Sequence, residues 1–312
     1  MYLALYRKYR PNDFDKVVGQ EHITRTLRNQ IKNDQIGHAY LFCGSRGTGK
    51  TSTAKVFARA VNCLSPRDGS PCGECEVCKA LKQNNAIDIM EIDAASNNGV
   101  EEIRELRDKV KYPPTVGRFK VYIIDEVHML TTSAFNALLK TLEEPPAHAL
   151  FILATTEVHK LPATILSRVL RFDFKLIPTD TIAKLITKVL ASSEIKAEPE
   201  AVNLIAYSGQ GSVRDALSIA DMCASFANND IKYSDVVEVL GISDSDTIYK
   251  LGSSILNQDV AGFFKQFEAI VKAGKNLLVI ASDLTKFYRD LLVLKTCGVK
   301  FVEYSDAMLE KM

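Results

Sequence analysis

The sequence predicts an α/β protein: a parallel sheet with helices on both faces, followed by all-helical segments. Three observations carry that prediction. Short apolar runs alternate with amphipathic stretches up to residue 174, the rhythm of strand–helix–strand crossovers. A glycine-rich stretch, GSRGTGKTS (44–52), sits between the first apolar run and the amphipathic stretch after it. Beyond Pro178 the strand-like runs stop and only helical spacing remains.

In chain order, HAYLFCG reads as a buried strand ending at Gly44. TSTAKVFARAV then sets Val56, Phe57, Ala60 and Val61 at helical spacing, so a helix opens near Lys50. Further strands are expected at IDIMEI (87–92), FKVYII (119–124), ALFILAT (149–155) and RVLRFDF (168–174). Between them, GVEEIRELRDKV lines up Val100, Ile103, Leu106 and Val110, and SAFNALLKTLEE lines up Phe135, Leu138, Leu139 and Leu142. TDTIAKLITKVLASSE starts a helix with Asp180 as its expected cap and Ile182, Leu185, Ile186 and Val189 on one face. EPEAVNLIAY, SVRDALSIADMCASF and YSDVVEVLG follow as short helices, the last ending at Gly241, and GKNLLVIASDLTKFYRDLLVLK is the strongest later helix. The expected division is 1–177 for the α/β domain, 178–241 for a small helical domain and 242–312 for a further helical segment.

Bulk properties narrow the partners. Charged residues are 25% and hydrophobic ones 46%, ordinary for a globular chain. A net charge of +1 advertises no broad basic surface, so any nucleic-acid contact must be local. No apolar run has the length of a membrane span, and MYLALYRKYRP lacks a signal-peptide core and cleavage site, so a cytoplasmic, membrane-free location is expected.

Gly44, Gly49, Lys50 and Thr51 fit G-x-x-x-x-G-K-[ST] without a mismatch, in the strand–loop–helix context that the pattern requires. The loop, Gly44, Ser45, Arg46, Gly47, Thr48, Gly49, Lys50, Thr51 and Ser52, is thus a candidate phosphate cradle, with free N–H groups and the helix dipole facing the anion. Lys50 would reach the β- and γ-phosphates, and the Thr51 hydroxyl would bind Mg²⁺. FKVYIIDEVHML ends a strand with Asp125, a second candidate Mg²⁺ ligand, and Glu126, which could orient and deprotonate an attacking water. His128 reads as structural. At the end of the next strand, LATTE, either Thr155 or Thr156 could reach the γ-phosphate or the water.

Cys63, Cys72, Cys75 and Cys78 form C-x8-C-x2-C-x2-C. A disulfide pair suits a reducing compartment poorly, and the Pro, Gly and charged neighbours suit a core poorly. Four close thiolates fit a structural zinc with no position open for catalysis; the alternatives are an iron–sulfur cluster or no metal. Cys43, Cys223 and Cys297 lie in apolar stretches and read as core residues.

GSRGTGKTS, IDEVHML, FNALLKTLEEPP, LATTE, KLPATILSR and GSVRDALS, together with the four-cysteine insertion, resemble the gamma/tau-type ATPases of bacterial DNA polymerase III clamp loaders, members of the AAA+ family. The likeness runs over essentially the whole chain. It implies an AAA+ P-loop domain with a zinc insertion, a helical lid and the start of an all-α collar. It implies ATP, Mg²⁺ and Zn²⁺ as cofactors. The implied partners are further gamma/tau copies, delta, delta prime, the sliding clamp and primed DNA. It assigns Thr156 to the sensor-1 position with Thr155 as fallback, Arg168 to a finger reaching ATP on the adjacent subunit, and Arg214 to sensor 2 in the lid. YRKYRPNDFDKVVGQ resembles the family's adenine pocket and brings in Arg10, Val17 and Val18. Val169 stands where the family often has cysteine, and relatives continue beyond EYSDAMLEKM, so a fragment of a longer chain is expected. ATP hydrolysis coupled to clamp loading is the implied activity, with DNA synthesis belonging to the holoenzyme. The rival readings are a nucleotide-binding scaffold without hydrolysis, another AAA+ motor such as a helicase or repair clamp loader, and a P-loop kinase.

Overall fold

A computed structural model describes residues 3–82, 87–241, 245–272, 274–275, 277–299, 302 and 309. Five strands form the main sheet: β1 (Ala39–Cys43), β2 (Ile89–Asp93), β3 (Lys120–Asp125), β4 (Ala149–Thr155) and β5 (Leu170–Asp173). All neighbours are parallel and the order is β2-β3-β4-β1-β5. β1, β4 and the first five residues of β3 are buried throughout, which is why they read as continuous apolar runs rather than alternating ones.

Alternate side chains feed two cores, because successive residues of a strand point to opposite faces. One face carries Tyr40, Phe42, Val121, Ile123, Leu150 and Ile152 against Ile23 and Leu27 of helix Glu21–Lys32 and Val56 and Phe57 of helix Lys50–Val61. The other carries Leu41, Tyr122, Ile124, Phe151 and Leu153 against Ile103 and Leu106 of helix Val100–Val110 and Phe135 and Leu138 of helix Thr132–Glu143. The Tyr122 and Phe151 rings stack 5.3 Å apart on that face. Thr131 caps the last of these helices by accepting from the Ala134 N–H at 3.2 Å.

Chain compactness separates two units: residues 1–195 with 202–221, and residues 196–201 with 222–312. The first contains the five-stranded sheet and helix Thr179–Ala191. That helix is preceded by Pro178 as N-cap with no side-chain cap; Asp180 lies inside its first turn and makes no cap bond, a correction to the expected start. The second unit holds helices Tyr233–Leu240, Ser245–Leu256, Val260–Lys272 and Leu277–Cys297, with Leu251, Ile270, Ile280 and Phe287 in one cluster. Gly241 ends the first of these in the left-handed conformation, as its position suggested.

Strands do not stop at Pro178: Lys196–Ala197 pairs with Asp230–Ile231 in a second, two-stranded sheet. Two residues are too few to show any strand period. Cys43 and Cys223 are buried, but Cys297 is exposed, because it ends its helix beside exposed Lys295 and Thr296. Among the described residues no helix is long and apolar enough to cross a membrane.

Candidate functional site

The sheet order puts three strand ends side by side. β4 lies between β1 and β3, so the loop leaving β1 faces the carboxylates leaving β3 across the end of β4. The Gly44 N–H donates to the Thr155 carbonyl at 3.2 Å, tying the start of the loop to that strand.

Two glycines show what the loop demands. Gly49 has φ +103° and is the N-cap of helix Lys50–Val61, a conformation costly to any residue with a Cβ. At Gly47 a Cβ would fall 1.8 Å from Ser212 Oγ and 3.3 Å from Arg214 Cβ. The loop and the start of helix Val213–Phe226 therefore touch where only glycine fits, and Arg214 stands beside the loop. The Arg214 guanidinium lies 5.3 Å from the Tyr6 ring centre, a cation–π pair that orients an otherwise exposed arginine.

Lys50 is 6% exposed, and its ammonium donates to the Gly44 and Ser45 carbonyls at 2.7 and 2.9 Å. Burial pulls its pKa below the ordinary lysine value, while Glu126 and Asp125 pull the other way. Thr51 Oγ1 donates to Asp125 Oδ2 at 2.7 Å, so the two proposed Mg²⁺ ligands already meet. Thr156 Oγ1 donates to Glu126 Oε2 at 3.1 Å. Thr155, fully buried, instead uses its hydroxyl on the Glu157 N–H and on His128 Nδ1, both at 3.0 Å. Glu126 is itself in the left-handed region at φ +48°.

The remaining residues sit at the margins of this cluster. Arg10 is exposed and its Nε donates to Ser52 Oγ at 3.2 Å; Val17 is buried and Val18 half-buried just before Gly19. Arg46 and Ser45 are exposed on the loop, and Thr48 is buried, its hydroxyl donating to the Ser45 carbonyl at 2.8 Å. Arg168 is not drawn into the cluster: it bonds the Thr164 carbonyl (2.8 Å), Ser167 Oγ (3.1 Å) and the Glu143 carboxylate (2.9 Å).

Gln20 joins the site without a sequence signal of its own. It is fully buried, donates to the Lys175 carbonyl at 2.7 Å and the Thr48 carbonyl at 3.4 Å, and accepts from the Lys175 N–H at 3.2 Å. A single polar residue ahead of a helix gives no signal that it staples a loop to a strand end.

The four cysteines converge away from this cluster, their sulfurs all within 4.8 Å of one another and none in a disulfide. Cys63 and Cys75 sulfurs are 4.0 Å apart, and those of Cys72 and Cys78 3.9 Å. Metal–sulfur bonds of about 2.3 Å in a tetrahedron put the sulfurs about 3.8 Å apart, so the set fits a zinc ion. Backbone N–H groups of Cys72, Cys75 and Cys78 donate to Cys63, Cys72 and Cys75 sulfurs at 3.3, 3.3 and 3.4 Å, the support that thiolate charge needs. The N–H groups of Glu74 and Cys75 pull the Cys72 thiol down to about 6, whereas burial pushes Cys78 well up. A cation is what would let all four lose their protons together.

A parallel sheet with a phosphate loop after β1, acidic residues ending β3 and a hydroxyl ending β4 defines the AAA+ P-loop fold. The Thermotoga maritima RuvB Holliday junction branch migration motor shares it, with a TM-score of 0.57 at 20% identity over 80% of this chain and 79% of that one.

Family models place the chain more narrowly. Residues 19–178 match the model for the DNA polymerase III delta subunit, 181–229 the ATPase lid domain of the DNA polymerase III clamp loader subunit, and 231–308 domain III of DNA polymerase III subunits gamma and tau. DNA polymerase III subunit tau of Bacillus subtilis is 48% identical over 95% of this chain and 52% of its own length. The tau/gamma subunit of Haemophilus influenzae is 49% identical over 80% and 37%, and Escherichia coli tau 47% over 80% and 39%. The chain belongs to the gamma/tau subunit family of bacterial DNA polymerase III clamp loaders. It spans about half the length of the Bacillus relative and less of the other two.

Proposed function

We propose that this chain is the ATP-hydrolysing motor of a replicative clamp loader, working with further copies of itself, delta and delta prime subunits, to place a sliding clamp on primed DNA. The observation that carries the reading is the 2.7 Å bond from Thr51 to Asp125, which joins the phosphate loop to the strand carboxylate at the place where Mg²⁺ would bridge them. Residues 1–177 form the nucleotide-binding part, 178–241 the lid and 242–312 part of a collar.

In this reading the loop N–H groups and Lys50 hold the ATP phosphates, and Arg10, Val17 and Val18 line the adenine. Thr51 and Asp125 hold Mg²⁺. Glu126 takes the proton of the attacking water, and Thr156 orients that carboxylate and senses the γ-phosphate. Arg214, beside Gly47, contacts phosphate from the lid. Arg168, bonded away from its own loop, serves the ATP of the neighbouring subunit; a permanently charged planar guanidinium suits a transferring phosphoryl group. Cys63, Cys72, Cys75 and Cys78 hold a structural Zn²⁺. DNA synthesis belongs to the polymerase of the complex.

A mixing experiment tests the shared site. Loaders built only from Arg168→Ala or only from Glu126→Gln chains are inactive, and loaders containing both regain DNA-stimulated ATPase activity at the mixed interfaces. Full activity of the pure Arg168→Ala loader would contradict the reading.

A further inference from the structure

His128 read as structural in the sequence, but it is built into the hydrolytic cluster. Its side chain is only 7% exposed, and Nδ1 lies 3.0 Å from Thr155 Oγ1 and 3.5 Å from Glu126 Oε2. We propose that His128 is a positioning residue that fixes the Glu126 carboxylate for hydrolysis and links it, through Thr155, to the phosphate loop. The proposal rests on Glu126 being the base.

Five considerations support it. Glu126 emerges from β3 in a left-handed backbone conformation unfavourable for a residue with a Cβ, so its direction must be enforced by neighbours. A glutamate has three rotatable side-chain bonds, and a base must be held within hydrogen-bond reach of its water. Thr156 restrains Oε2 by donating to it at 3.1 Å, and the imidazole Nδ1 lies 3.5 Å from the same oxygen. An Nδ1 lone pair aimed at the carboxylate would repel it, so the form compatible with Glu126 carries its proton on Nδ1 and shares it between Oε2 and Thr155 Oγ1. Thr155 is a fixed anchor: it is fully buried, its hydroxyl also accepts the Glu157 N–H, and its carbonyl accepts the Gly44 N–H that begins the loop.

The test uses the full-length protein assembled with its loader partners and primed DNA, reading kcat, ATP affinity and melting temperature for His128→Ala, His128→Asn and Glu126→Gln. His128→Ala is expected to lower kcat about 10- to 100-fold, the usual cost of losing a group that orients a working ligand or base, with ATP affinity within about two-fold. His128→Asn should recover most of the loss, because its amide N–H falls near the place of Nδ1; a merely structural histidine would show no such rescue. If His128→Ala fails to fold, Thr155→Val removes the other partner of the imidazole without opening a cavity and should lower kcat at unchanged affinity. Wild-type kcat in the foldable variants, no gain from asparagine over alanine, or a parallel loss of ATP affinity each overturns the proposal. Glu126→Gln separates the two readings: a slow Glu126→Gln with a normal His128→Ala removes only the role of His128, whereas a Glu126→Gln as fast as wild type removes Glu126 as base and the proposal with it.

Discussion

The phosphate cluster and the cysteine cluster both gather charged ligands, but they are assembled in opposite ways. The cysteines come from one sixteen-residue stretch, 63–78, and turn geometry brings them together with their own backbone N–H groups as support. Lys50, Asp125 and Thr156 come from the ends of three different segments and meet only because the sheet runs β3-β4-β1. In the proposed reading the first would draw its cohesion from a metal; the second depends on the rest of the domain being folded. Damage should therefore separate: chemistry without stability in one, stability without chemistry in the other.

The largest separation is expected at Glu126. Glu126→Gln should slow hydrolysis by about 10²- to 10⁴-fold, the range lost with a general base, while ATP binding and melting temperature stay close to wild type in single-turnover and titration assays. Cys75→Ser should do the reverse. Metal analysis should fall from one zinc per chain toward none, stability should drop by roughly 2–4 kcal/mol in denaturant unfolding, and ATP affinity should stay within about two-fold. A large loss of ATP binding in this variant would break the separation between the two clusters.

Intermediate effects sharpen it. Gly47→Ala must displace Ser212 and adopt φ +75°, which should weaken ATP binding by about 1–3 kcal/mol, or roughly 5- to 150-fold in a binding titration. The smallest effect is expected for Thr51→Ser, which keeps the hydroxyl that meets Asp125; its ATP and Mg²⁺ affinities should change by less than about two-fold.

Much of this was legible in the sequence for identifiable reasons. The phosphate loop announces itself because backbone conformation, and at Gly44 the close approach of the Phe174 carbonyl, restrict Gly44 and Gly49 to one residue type. β1, β3 and β4 were visible because burial on both faces makes them continuously apolar. The cysteines were visible because their whole site is local. Strand order was not legible, since nothing in a strand's own residues names its neighbour. Thr155 and Thr156 could not be told apart from spacing; the turn after β4 sends Thr156 toward Glu126 and leaves Thr155 on His128. The contacts of His128 with Thr155 and of Gln20 with Lys175 were not legible, because each of those partners is remote in sequence. Expected strands 87–92 and 168–174 are shorter in the structure, 89–93 and 170–173, because turn residues flank their apolar centres.

Calorimetric titration of the folded protein with ATP, with and without Mg²⁺, addresses the phosphate cluster most directly. Saturable binding that strengthens with Mg²⁺ and disappears in Lys50→Ala is the predicted result. No affinity for adenine nucleotide in the folded wild type, or undiminished affinity in Lys50→Ala, would contradict the account.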